Sequence, residues 1–518
     1  MNNEIEFYIP NTLNIREILI KENKRERYID SQIDKYHWFL DYIYKQSILN
    51  KKFVMGDFIP MNNAVMDKLL GSRYIYDIKH ILPKHGIIEC DGEYEEGVKS
   101  LGFRLTPEYQ VMHYRRLKDS NSEFIKKLQS MNLITISKMD TITRYTYHQL
   151  NDLGIHVEEA LKHVEEWYAN NMLVENPVLV NKLKKQNKKR KKAEHKARKK
   201  GHDVQYLAFT YEQMLELMKD SYLYQIRCID EKLWLPKRDD KGRRMHTYIS
   251  NAWSELRQFI YIKSSPNIQL ISLDCSNSQP YTFVKILLEY FKGVDLYTSP
   301  FTDIIDYIEL VTAGKLYTFM CQKLGISDPK EIAEFKVDMF ANVFYSKNEE
   351  GYHTKEAKAF RKYFPTVYQI VMQEKKTWYK SLSIKMQRVE TSAVIDIALA
   401  TLMDKYGKSV WFGSIHDSII CPSGYETEVR QLMLDAYTNV VGVSPHIKPA
   451  EKFNDVKVTP QITEEFDKID SAALEEAERL YKVLLRSKLH DDCTAVESPK
   501  TSHKPNRNLK VINQGIPL

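Results

Sequence analysis

The chain has 518 residues, 43% of them hydrophobic and 28% charged, with a formal net charge of +7. That size and balance fit two to four soluble globular domains with cores of their own. No run approaches the ~18 consecutive apolar residues of a membrane span, and the start, MNNEIEFYIPN, lacks a basic-then-apolar signal, so a cytoplasmic protein is expected. Six cysteines without a CxxC pair argue for a reducing compartment and against a disulfide frame or zinc ribbon.

In chain order, residues 1–45 read as a helical, polar N-terminal segment. Over 46–110, SILNKKFVMGDFIP leads into NAVMDKLLG, a helix closed by Gly71. The second helix, SRYIYDIKHILPKHG, has Ser72 as N-cap and stops at Gly86. GIIECDGEYEEGVKSLGFRLTPEY then alternates as a β-hairpin. Helix, turn, helix, hairpin is the order of a winged helix. On that pattern the second helix enters a major groove, with Arg73, Lys79 and Lys84 as contacts. The alternative is a small α+β unit that packs against protein.

Residues 111–240 read as long helices. They carry the run KLKKQNKKRKKAEHKARKK over 182–200, with twelve Lys or Arg and one Glu. This run suits a nucleic-acid backbone, with Lys188, Lys189 and Arg190 at its centre. The bland reading is a solvated helix. Residues 241–460 alternate short apolar strands with helices. A C-terminal helix is predicted over 461–486 and a disordered tail over 487–518, where large apolar residues thin out.

Two isolated carboxylates stand out. QLISL ends at Asp274 before the helix QPYTFVKILLEYF, and FGSIHDSII places Asp417 inside an apolar run. A buried carboxylate is costly unless something pairs with it. Read alone, the second stretch is a plain turn. Read together, two strand-tip aspartates suit Mg²⁺, which favours one or two carboxylates plus waters and substrate phosphates. A two-metal arrangement of that kind serves in-line phosphoryl displacement.

Asp274-Cys275-Ser276-Asn277-Ser278-Gln279 resembles motif A of family A polymerases, Asp-x-Ser-x-x-Glu in bacterial DNA polymerase I. His416-Asp417-Ser418 resembles motif C, which is His-Asp-Glu there and His-Asp-Ser in single-subunit RNA polymerases. KMQRVETSAVIDIALATLM over 385–403 is similar to the helix that starts Met-Gln-Gly-Thr-Ala-Ala-Asp-Ile-Ile. GRRMHTYISNAWSELRQFI over 242–260 is similar to the Gly-Arg-Leu-Ser segment before motif A. The four occur in the family's order and cover about 240–425. The fingers pattern, Arg-x-x-x-Lys, seven residues, Tyr-Gly, meets EIAEFKVDMFANVFYSKNEE with one residue too many between Lys336 and Tyr345. The helix has gained a residue or is bulged there. The family's arginine is missing, and Ser346 replaces its glycine.

The resemblance implies an α+β right-hand polymerase. Palm and fingers would lie over 241–460, a thumb-like region over 111–240 and the winged-helix-like domain in front. It implies that Asp274 and Asp417 hold two Mg²⁺ ions, or Mn²⁺ in their place, with the Cys275 backbone carbonyl assisting. Lys336 would meet the incoming triphosphate and Tyr345 would stack near the templating pair. Arg244, Gln387 and His416 would touch the primer-template. Lys336 as a solvent-facing lysine and Gln387 as a structural amide are the plain alternatives. Arg257 reads as a structural partner of Glu255 or Asp274.

The fifth position after Asp274 decides the sugar. The family's DNA polymerases place a glutamate there that obstructs a ribose 2′-hydroxyl, and the RNA polymerases a glycine. Gln279 keeps the size without the charge, and its amide can donate to a 2′-hydroxyl. The 143 positions from Asp274 to Asp417 fit the compact DNA polymerase pattern. The expectation is a template-directed DNA polymerase of a mobile element or phage, acting on DNA primer-template and dNTPs, without 3′→5′ proofreading. An RNA polymerase or primase-like enzyme using NTPs is the alternative, and a non-catalytic replication initiator the second.

Overall fold

The computed structural model describes residues 5–49, 53, 55–96, 99–110, 114–117, 122–199, 201, 206–297 and 301–454. The helix predicted over 461–486 and the tail over 487–518 lie outside them. No helix among the described residues is long and apolar enough to cross a membrane. The chain is helix-rich with small antiparallel sheets, and it divides into two compact units. One holds residues 1–138 and 161–224; the other holds 139–160 and 225–460.

The first unit is organised around α1 (Glu26–Leu49). The polar N-terminal stretch of the sequence reading is in fact core here. Ile29, Tyr36, Phe39, Leu40 and Ile43 recur on one helix face and are buried. Behind it follow β1 (Ile59–Pro60), α2 (Asn63–Leu70), α3 (Ser72–Lys84), β2 (Ile88–Cys90) and β3 (Gly102–Leu105), with sheet order β1-β3-β2. Asn62 caps α2 by accepting from the Val65 amide. Gly71, at φ +89°, turns the chain into α3, so Ser72 is the first helical residue rather than the cap. Arg104 on β3 is fully buried. It donates to Glu89 across the sheet and to the Gly56 carbonyl, and lies against the Phe58 and Tyr206 rings. The basic run lies on α4 (Pro177–Lys199).

The second unit has a four-stranded antiparallel sheet. Its strands are β4 (Leu270–Asp274), β5 (Gly413–Ile415), β6 (Ser418–Pro422) and β7 (Glu451–Lys452), in the order β5-β6-β4-β7. Helices α5 (Ser278–Tyr290), α6 (Pro329–Met339), α7 (Ser381–Thr391) and α8 (Glu426–Val441) build its apolar core with Leu273, Ile419 and Cys421. After α6 the chain continues as a π-helix over Phe340–Tyr345. The π turn carries one more residue than an α turn, which absorbs the extra residue in the fingers pattern. Phe344 is fully buried against the Phe283 and Phe360 rings, and Tyr345 is partly buried beside the Phe340 ring at the edge of the same core. The buried ammonium of Lys375 donates to the Val343 carbonyl at 2.6 Å and the Ser346 carbonyl at 3.2 Å, pinning the end of this turn. Phe344→Ala should cost about 3–5 kcal/mol through the cavity it opens. Tyr345→Phe, which keeps the ring, should cost about 1 kcal/mol. Urea unfolding of both variants measures the difference.

Candidate active site

The sheet register builds the site. Asp274 ends β4 directly opposite Ser418, the first residue of β6. Ile415 pairs with Ser418, so His416 and Asp417 form the two-residue loop of the β5–β6 hairpin. His416 has φ +55°, a conformation few non-glycine residues adopt and one that clusters at functional sites. The two aspartates that are 143 positions apart in sequence therefore share one end of the sheet. The Ser418 hydroxyl donates to Asp274, Ser272 donates to the same carboxylate at 3.4 Å, and the Lys448 ammonium stands 3.4 Å from its other oxygen. Burial pushes the Asp417 carboxyl up to about 7, and the nearby charges of Glu390 and Asp274 push it the same way, while Lys448 opposes them.

Beside this pair lies a polar network on α7 and its neighbours. Gln387 and Glu390 sit three positions apart, on one helix face. Glu390 is 1% exposed. One of its oxygens accepts from Arg244 Nε at 2.9 Å and Nη2 at 2.6 Å. The other accepts from the Ser278 hydroxyl at 2.9 Å and from Gln279 Nε2. Tyr345 Oη donates to Gln279 Oε1 at 3.2 Å, and Gln387 Nε2 donates to Tyr345 Oη at 3.2 Å. Arg244 is delivered by a hairpin laid against α7. Arg388 Nε donates to the Lys241 carbonyl at 2.6 Å and Thr391 Oγ1 to the Gly242 carbonyl at 3.0 Å. A Cβ on Gly242 would lie 2.4 Å from Gln387 Oε1 and would push that amide aside. Asp239 ties the turn. Burial raises its carboxyl, but donation from His246 and from the amides of Gly242, Arg244 and Lys241 holds it well below the usual range.

The structure thus brings together Asp274, Asp417, Gln279, Tyr345, Gln387 and Arg244 from five separate stretches, with Cys275 buried beside Asp274. Lys336 is exposed on α6 and shares none of these hydrogen bonds. Glu390 and Lys448 had no place in the sequence reading. Glu390 reads there as one more charge in KMQRVE, and Lys448 belongs to no motif. Arg257 feels the Asp274 charge, as one of its two suggested partners implied.

The residues expected to meet nucleic acid in the first unit fare unevenly. Arg190 is 4% exposed and does not present its guanidinium to a polyanion. It donates to the Met55 carbonyl and Asn187 and lies on the Phe209 ring. Lys188 is exposed, and Lys189 is exposed beside Asp57 at 3.6 Å. On α3, Arg73 is exposed, but Lys79 is half-buried over the Phe103 ring and bonded to Asn63, and Lys84 pairs with Glu22. The exposed face of α3 is Arg73, Tyr76, His80 and Lys84.

The donor set decides which cation suits the site. Among the described residues no group of three or more His, Cys, Asp and Glu gathers as a metal cage. Two carboxylates held close, one of them pushed up to about 7 by burial and by its acidic neighbours, fit a hard divalent ion that keeps waters and substrate oxygens as its other ligands.

No protein-family model and none of the curated proteins compared matches this chain. Among solved structures it is similar to the POL domain of Pol1 from M. smegmatis in complex with DNA primer-template and dNTP. The identity is 12% and the TM-score 0.39, over 64% of this chain and 72% of that one. A likeness that slight carries no weight for fold or activity.

Proposed function

We propose that the chain is a template-directed DNA polymerase that adds dNTPs to a primer 3′-hydroxyl. The observation that carries this reading is convergence. The stretches that resemble motif A, motif C, the fingers helix, the following helix and the segment before motif A meet in one network around Asp274 and Asp417. Asp274 and Asp417 would hold Mg²⁺, or Mn²⁺ in its place, with the Cys275 carbonyl. When bound, the ions supply activation of the 3′-hydroxyl and neutralise charge on the triphosphate and pyrophosphate.

The chain's own groups do the positioning. Lys336, exposed on α6, meets the triphosphate as a compact charge. Tyr345, held by Gln279 and Gln387, offers its ring beside the templating pair. Arg244, Gln387 and His416 line the primer-template side. To touch DNA, Arg244 must share a guanidinium that now serves Glu390. In the first unit, the winged-helix-like arrangement of α2, α3 and β1–β3 would meet duplex DNA through Arg73, Tyr76 and His80. The exposed Lys188 would add phosphate contact. Ser418 beside Asp274 keeps an NTP-using enzyme as the second reading.

Primer extension on a DNA template with Mg²⁺, run with dNTPs and with NTPs, tests the proposal. Extension with dNTPs at least about tenfold more efficient than with NTPs is expected, a discrimination well within reach of one sugar contact. A preference for NTPs would select the second reading, and no extension with either would sink both.

A further inference from the structure

Glu390 is a buried, fully engaged charge in the second unit, and no part of the proposed chemistry uses it. Its two oxygens accept four hydrogen bonds, from Arg244 twice, Ser278 and Gln279. A carboxylate only accepts, so the Gln279 group facing it must be the NH₂. The Gln279 carbonyl oxygen then faces Tyr345, whose hydroxyl donates to it and accepts from Gln387. The order of donors and acceptors is therefore set at the Glu390 end and runs through Gln279 to Tyr345 and Gln387. Without Glu390 the amide can rotate by half a turn and offer NH₂ on the Tyr345 side, which is the sugar's side on the polymerase reading.

We infer that Glu390 is a positioning residue for sugar selection. It turns the Gln279 NH₂ toward itself and takes one of its two N–H donors, locks that side chain as an obstacle rather than a hydrogen-bond partner for a ribose 2′-hydroxyl, and holds Tyr345 in register. The acid that the sugar-deciding position lacks is supplied from α7, one hydrogen bond away. This rests on the polymerase reading of the site.

The charge exchange gives the test. In Glu390→Gln, Arg244 claims the new amide's oxygen, so its NH₂ faces the Gln279 NH₂ and no longer holds that amide's orientation. Gln279→Glu sets two buried carboxylates against each other. The double exchange, Gln279→Glu with Glu390→Gln, restores one carboxylate and one amide in hydrogen-bond reach. The readout is the ratio of kcat/KM for a dNTP to that for the matching NTP, with thermal unfolding of each variant beside it. Each single variant should lower the ratio about tenfold, the effect of one misplaced hydrogen-bonding group at the sugar. The double exchange should recover most of it. If a single variant fails to fold, the ratio of the double exchange alone decides: near wild type supports the inference, and a loss as large as tenfold overturns it. Variants that lose stability but keep the wild-type ratio would also overturn it and leave the polymerase reading intact. A wild type that extends no primer would overturn both.

Discussion

Asp274→Asn and Asp417→Asn should each lower Mg²⁺-dependent primer extension by at least about 10³-fold, more than the roughly 10–100-fold that loss of an outer-shell metal partner costs. The stability of Asp417→Asn should move the other way. The Asp417 carboxyl sits at about 7 in the folded chain against an ordinary 3.8. Between those values the folded state keeps a proton that the unfolded chain has released. The stabilisation is complete below pH about 4 and is lost as pH rises through about 7. Without divalent ions, wild-type stability should therefore fall from pH 5 to pH 8, and Asp417→Asn should flatten that slope and melt higher than wild type at pH 8. Thermal unfolding across pH in chelator, with extension assays on the same samples, reads both. A variant that is dead, folded and more stable at pH 8 marks a site strained for function. Unchanged extension in either variant would remove the catalytic assignment.

The carboxylate pair was legible because its signals are local. An apolar strand that stops at Asp274 and an apolar run broken only at His416 and Asp417 say where strands end, and the motif order says which ends belong together. Spacing alone could not bring them together; the β4–β6 register does. The helix that ends at Tyr345 was legible in an odder way. A one-residue misfit between Lys336 and Tyr345 is itself the mark of a π turn, and the structure has one over Phe340–Tyr345. What escaped was burial decided by distant partners. Arg190 looks like its eleven basic neighbours, and only the Met55 carbonyl and the Phe209 ring make it interior. Lys79 is half-buried over the Phe103 ring and spent on Asn63, which no helical periodicity announces. Glu390 is answered by an arginine 146 positions upstream. The N-terminal helix hid its core face behind charged residues at the alternate positions of the same turns.

Arg244→Met should destabilise the protein by about 3–5 kcal/mol, the range for removing one partner of a buried pair. The size follows from what is left behind. Glu390 is 1% exposed, and without Arg244 it keeps only the Ser278 and Gln279 donors, neither of them charged. Adding Glu390→Gln to Arg244→Met removes the stranded charge while retaining an oxygen for Ser278. The double variant should therefore be more stable than Arg244→Met alone, with a coupling of about 1–3 kcal/mol between the two positions. Urea midpoints for wild type, both single variants and the double complete the cycle. Additive losses would mean that the pair is not coupled and that Arg244 is held by its hairpin alone. Coupling has a consequence for binding. A guanidinium committed to an internal carboxylate gives up part of that bond to reach a phosphate or base edge. Arg244→Met should then weaken primer-template binding less than its stability loss, and Glu390→Gln, which leaves the guanidinium only a neutral acceptor, should tighten it. Titration of labelled primer-template without divalent ions separates the two effects, because neither nucleotide nor metal enters that equilibrium.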